Sequence, residues 1–153
     1  MEKISGHISY NEAIHSHTAK KLGIKNIPND IQLLNMKLIA TKIFEPLREW
    51  VGGPIKINSF FRSKALNTAI KGSNTSQHIL GLAIDLDDTY GFKTNKEMFH
   101  WIKENLNFDQ LIWEFGNDKN PDWIHVSYVS KKANRNRCLK AERVNGKTMY
   151  SII

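Results

Sequence analysis

Apolar and polar positions recur along this chain with two different periods, and the changes of period mark its elements. After Pro28-Asn29-Asp30, residues Leu33, Met36, Ala40, Ile43, Phe44 and Leu47 follow the i, i+3, i+4 spacing of one helix face, which predicts a long helix with that stripe buried. Pro46 has no N–H for the carbonyl four residues back, so it is expected to bend or end this helix near Phe44 or Glu45. Gly52-Gly53-Pro54 then breaks the chain. Shorter helices are predicted over 11–22, with Asn11 as N-cap and Gly23 as stop, over 63–70, and from Thr94 or Asn95 onward with Phe99, Ile102 and Leu106 facing inward. Alternation over 55–58 and 82–87 predicts strands, and 108–115 and 123–128 read as a strand pair joined through Gly116-Asn117-Asp118-Lys119-Asn120-Pro121. Residues 137–142 and 148–152 around Asn145-Gly146 predict a terminal hairpin with a structural role.

Composition narrows the picture. A chain of 153 residues with 41% hydrophobic positions makes one domain, 1–153, around one core. It contains no apolar run of the ~18 residues that a membrane span requires. Met1-Glu2-Lys3-Ile4-Ser5-Gly6-His7 is polar, unlike a secretory leader, so synthesis in a cytoplasm without a signal peptide is expected. Cys138, the only cysteine, excludes an internal disulfide. The net charge of +7 attracts anionic partners, either wall polymers or nucleic acid. No nucleic-acid recognition motif accompanies the charge, so nucleic acid is not expected as the partner.

The chemistry concentrates in Ser76-Gln77-His78-Ile79-Leu80-Gly81-Leu82-Ala83-Ile84-Asp85. An imidazole and a carboxylate straddle a glycine turn running into an alternating strand, an arrangement that suits two ligands of one metal ion. A catalytic zinc takes about three protein ligands and a water. The best candidate for the third is His125, at the centre of Trp123-Ile124-His125-Val126-Ser127. Two imidazoles and a carboxylate favour zinc over magnesium or calcium, which prefer all-oxygen shells. Asp85 shares its strand face with Ala83, whose small side chain leaves room beside a metal, and with Asp87, a candidate to hydrogen-bond a ligand.

Water activated by zinc must still lose a proton to a base, and two carboxylates compete for that role. Asp122 faces away from His125 in a regular strand. Glu114 shares the His125 face if the hairpin pairs it opposite Trp123, and a slip of one residue removes it. Arg62, at the end of a predicted strand, offers a planar fork to a substrate carboxylate. Ser76 has no base and orienter of a hydrolytic triad nearby in the pattern, so its hydroxyl is read as orienting a loop or a ligand. Ser127, on the His125 face, either contacts substrate or hydrogen-bonds within the fold.

Serine-x-His-x-x-Gly-x-Ala-x-Asp followed by Trp-x-His on a later strand resembles the signature of the zinc D-Ala-D-Ala peptidases, the M15 family with its phage endolysin relatives. Here it reads Ser76, His78, Gly81, Ala83, Asp85, then Trp123 and His125, and the likeness extends to Thr18-Ala19, Ile57-Asn58-Ser59, Phe61-Arg62-Ser63 and Phe108-Asp109-Gln110-Leu111-Ile112. The resemblance implies an α+β fold of the Hedgehog/DD-peptidase type: an antiparallel sheet with helices on one side and one zinc in the central cleft, held by His78, Asp85 and His125. It implies that Arg62 faces the substrate, although Phe60 stands where the family usually has glycine. Many members carry glutamate where this chain has Asp122, one methylene shorter. Related phage-type sequences have a glutamate after Asp-Gln-Leu-Ile, as here, which favours Glu114 as the base.

The activity so implied is zinc-dependent cleavage at a D-amino acid of the peptidoglycan stem peptide or cross-link, by a D,D-carboxypeptidase or an endolysin-type endopeptidase. A small basic domain of this kind fits a phage or prophage lysis enzyme that reaches the anionic wall after holin-type release, acting as a monomer without membrane insertion. The alternative is a zinc-containing binding module without turnover, comparable to the Hedgehog signalling domain.

Overall fold

The computed structural model describes residues 2–153. The helices that start at Tyr10, His17, Asp30, Lys64 and Asn95 do so where side chains satisfy free backbone N–H groups. The helix expected over 11–22 is two: α1 (Tyr10–Ile14) and α2 (His17–Leu22). Ser9 Oγ accepts from Glu12 N–H and Ser16 Oγ from Ala19 N–H, both at 3.1 Å, so each serine starts a helix of its own and Asn11 lies inside the first. A reciprocal cap between Asn29 and Gln32 opens α3 (Asp30–Ile39).

Pro46 does not end the long helix. Between α3 and α4 (Glu45–Val51) the chain widens into a π turn, Ala40–Phe44, in which Glu45 N–H reaches back to the Ala40 carbonyl. The wider turn makes room for a ring that would otherwise press on the carbonyl one turn earlier. Met36, Ile39, Ala40, Ile43, Phe44 and Leu47 are all buried, so the stripe continues through it. The remaining helices are α5 (Lys64–Ala69), capped by Ser63, and α6 (Asn95–Asn105), capped by Thr94 with Glu97.

Six strands, β1 (Lys56–Ser59), β2 (Ala83–Asp87), β3 (Gln110–Glu114), β4 (Trp123–Ser127), β5 (Arg137–Val144) and β6 (Lys147–Ile152), form one sheet among the described residues, in the order β1-β2-β4-β3-β5-β6. The sheet is mostly antiparallel, but β3 and β5 run parallel, which corrects the antiparallel expectation. The β3–β4 hairpin occupies one side of β3, so the chain leaving β4 crosses to the free side and enters in the same direction as β3. The crossing is fixed by Asn136 N–H to the Phe108 carbonyl (2.8 Å) and Arg137 N–H to the Asp109 carbonyl (2.9 Å). Asn145 and Gly146 take positive φ (51° and 77°), the turn suited to the β5–β6 hairpin.

The two faces of the sheet differ. Ile84, Leu86, Leu111, Trp113, Ile124 and Val126 pack with α3, α4 and α6 in the main core. The opposite face carries Asp85, Ile112, Glu114, Trp123 and His125, which line a cleft of about 880 Å³. No helix among the described residues is long and apolar enough to cross a membrane.

Candidate metal centre

Register alone brings two of the candidate ligands together. Asp85 on β2 lies directly opposite His125 on β4, and residues opposed in an antiparallel pair project from the same face. His125 Nδ1 is 2.9 Å from Asp85 Oδ1. His78 arrives from outside the sheet, on a single 3₁₀ turn, Gln77–Leu80, that the hydrophobic pattern does not reveal. This turn is tied to α3: Gln32 Nε2 donates to the Ile79 carbonyl (3.1 Å) and Asn35 Nδ2 to the Leu80 carbonyl (2.9 Å). Gly81 closes the turn at φ 75°, where an added Cβ would come within 2.7 Å of the Gln32 carbonyl oxygen, so glycine is required by both conformation and space.

The donor set fits a metal ion on an observation specific to this chain. His78 Nδ1 lies 2.7 Å from the Phe60 carbonyl. A carbonyl only accepts, so Nδ1 carries the proton and Nε2 of the neutral ring presents a lone pair. That Nε2 is buried without a hydrogen-bond partner, and it points at Asp85 Oδ2 from 3.2 Å. Two acceptors facing each other in a buried site call for a cation between them. The ligand atoms of His78, Asp85 and His125 all lie within 4.8 Å of one another. A tetrahedral zinc site with bonds of ~2.0–2.2 Å separates its ligands by ~3.3–3.5 Å, and here His78 Nε2 lies 3.2 Å from one Asp85 oxygen while His125 Nδ1 lies 2.9 Å from the other. The Phe60 side chain is buried in the core, and the contribution of this position to the site is its carbonyl.

Charge states follow from the surroundings. Burial pushes the His78 imidazolium pKa down, more strongly than Asp85 pulls it up, so the ring is neutral. Burial would raise the Asp85 carboxyl, but the hydrogen bond to His125 Nδ1 holds it well below the usual carboxylate range. Arg62 Nη2 donates to Asp85 Oδ2 (3.2 Å) and its Nε to Ser59 Oγ (3.0 Å), so the guanidinium sits at the cleft with one edge committed to Asp85.

The β3–β4 register pairs Glu114 with Trp123, so Glu114, Trp123 and His125 share the cleft face. Burial, aided by the Asp85 charge and opposed by His125 and Arg62, pushes the Glu114 pKa up to about 7. This register is set by the turn after β3. At Gly116, φ is 69° and an added Cβ would fall 2.3 Å from the Asn120 carbonyl oxygen.

The remaining candidates divide between the cleft and its surroundings. Ser76 lines the cleft, and its Oγ accepts from His78 N–H at 3.3 Å, capping the 3₁₀ turn. Ser127 is fully buried, off the cleft, and its Oγ accepts from Gln110 N–H (3.0 Å). Asp122 is exposed and outside the cleft lining, while its backbone carbonyl accepts from Asn95 Nδ2. Asp87 does not meet a ligand: its oxygens accept from Thr89 Oγ1 (2.7 Å) and Asn95 Nδ2 (2.8 Å).

Sequence reasoning missed two parts of the site. Buried Asp109 accepts from Arg135 Nε and Nη2 (2.9 and 2.8 Å) and from Gln77 Nε2 (2.9 Å), bracing the His78 turn from behind. The β5–β6 hairpin, expected to be structural, supplies Arg137, Leu139, Thr148 and Tyr150 to the cleft. Period-two alternation places these on one face of their strands, but only the parallel pairing turns that face toward His125.

A family model described as Peptidase M15 matches residues 6–127. Among curated proteins no significant match is found.

Proposed function

Because the chain belongs to the peptidase M15 family, we propose that it is a zinc-dependent peptidoglycan peptidase cleaving a peptide bond at a D-amino acid of the stem peptide or cross-link. The observation that carries this reading is the meeting of a neutral, partnerless His78 Nε2 with Asp85 and His125, beside a buried carboxyl, in one cleft. His78 through Nε2, Asp85 through a carboxylate oxygen and His125 through Nδ1 would hold the ion. Zinc bound there supplies Lewis acidity toward a peptide carbonyl and makes water easier to deprotonate.

The remaining work falls to the chain's own groups. Glu114, as carboxylate, takes a proton from the attacking water and returns it to the leaving nitrogen, a role suited to a group titrating near neutrality. Arg62 anchors Asp85 through Nη2, is held by Ser59 and Asn67 through Nε and Nη1, and presents the N–H groups left over to the peptide. Ser76 holds the backbone of the His78 turn. A net charge of +7 draws the protein to anionic wall polymers, as suits a lysis enzyme of phage type.

The test is digestion of purified sacculi by the zinc-loaded protein, with the products identified by mass spectrometry. Release of terminal D-alanine identifies a carboxypeptidase, whereas a cut within the stem or cross-link identifies an endopeptidase. Stoichiometric zinc with unchanged sacculi would instead support a binding module without turnover.

A further inference from the structure

The cleft extends well beyond the metal site, and its far side is built by the terminal hairpin, which lies outside the residues matched by the family model. From the His125 row the floor continues across Ile112 and Leu139, with Ala141 beside them, as a small buried apolar cluster. Tyr150 on β6, opposite Ala141, forms the wall. At the other end stands Arg137, paired in register with Gln110 and lining the cleft. Arg135 nearby is held by Asp109, whereas Arg137 has no ion-pair partner among the described residues.

We propose that Arg137 is a specificity-determining residue that binds a free carboxylate of the substrate peptide, some three residues from the bond that is cut. Strand spacing of ~4.8 Å and a rise of ~3.3 Å per residue put its Cα roughly 12 Å from that of His125, because Leu139 lies two strands across from His125 and Arg137 two positions further along. An extended peptide covers ~3.5 Å per residue, so a chain with its scissile carbonyl at the His78, Asp85 and His125 group reaches Arg137 about three residues away. Between the two points the apolar floor of Ile112 and Leu139 accepts a D-alanine methyl and the aliphatic stem of a lysine. A guanidinium at the edge of an apolar floor selects a carboxylate by paired N–H donors and by charge. The stem peptide has this chemistry: alanine methyls and a γ-linked D-glutamate whose α-carboxylate is free. The inference rests on the peptidase reading for the location of the scissile bond, and on the hairpin geometry for the carboxylate.

The test compares two synthetic pentapeptides, L-Ala-γ-D-Glu-L-Lys-D-Ala-D-Ala with the glutamate α-carboxylate free or converted to the amide. Their binding to zinc-loaded protein carrying Glu114→Gln, so that neither is consumed, is measured by calorimetry. The free acid is expected to bind about tenfold more tightly, the difference shrinking to within about twofold when Arg137→Gln is added and being partly retained with Arg137→Lys. Arg137 is exposed on an edge of the cleft, and circular dichroism checks that each variant is folded. Equal binding of the two peptides, binding of neither, or a difference that survives Arg137→Gln would overturn the proposal. If the carboxylate difference behaves as expected but the wild-type protein leaves sacculi uncut, the peptidase reading fails and the hairpin site stands. If sacculi are cut without any carboxylate preference, the hairpin site fails and the peptidase reading stands.

Discussion

Glu114 is the residue on which chemistry and stability pull in opposite directions. Its carboxyl titrates at about 7 in the fold against 4.5 ordinarily, so between those values the unfolded chain releases a proton that the folded chain keeps. Stability is therefore undiminished below about 4.5 and declines as pH rises toward 7, by on the order of 3 kcal/mol once the group is ionised in both states. Glu114→Gln is expected to lower turnover by ~10²–10⁴-fold while raising the melting temperature of the metal-free protein by several degrees at pH 8 and little at pH 4. Calorimetric melts at the two pH values check this. A base must be ionised to act, so the acid limb of the pH–rate profile has its midpoint at or below 7, a nearby cation shifting it downward. Asp122→Asn, by contrast, should leave turnover within about twofold, since that side chain is exposed outside the cleft. A loss comparable with that of Glu114→Gln would transfer the role of base to Asp122.

At the scale of elements, what is legible in the chain depends on how local the deciding interaction is. The face that Asp85 and His125 each take on their own strands and the inward stripe of α3 and α4 follow from periods of two and 3.6, which need no knowledge of neighbours. The β2–β4 register that brings these two candidate ligands together does not follow from them. The division of α1 from α2 is encoded just as locally, in Ser9 and Ser16, but helical spacing across residues 11–22 masks it. The π turn at Pro46 and the parallel β3–β5 pairing are not legible, because each is decided by packing against distant parts of the chain. The same holds for Asp109, which joins the His78 turn to the β4–β5 crossing through Gln77 and Arg135. Asp109→Asn removes a charged acceptor from this buried junction. It is expected to destabilise the fold by ~1–3 kcal/mol and to weaken zinc affinity through the loosened turn, read from urea denaturation and from competition with a chromogenic chelator.

For the whole molecule, the excess of positive charge governs encounter more than chemistry. Association with isolated walls should weaken as salt rises from about 0.05 to 0.5 M, while hydrolysis of a short soluble peptide changes much less; co-sedimentation and a peptide assay separate the two. The opposition of Asp85 and His125 across two interior strands has a consequence of its own. Sheet hydrogen bonds hold that pair whether or not an ion is present, and only the short turn bearing His78 has to settle onto it. Chelation should therefore silence the protein without unfolding it, and adding zinc back should restore full function within the mixing time, with no slow refolding step in the recovery.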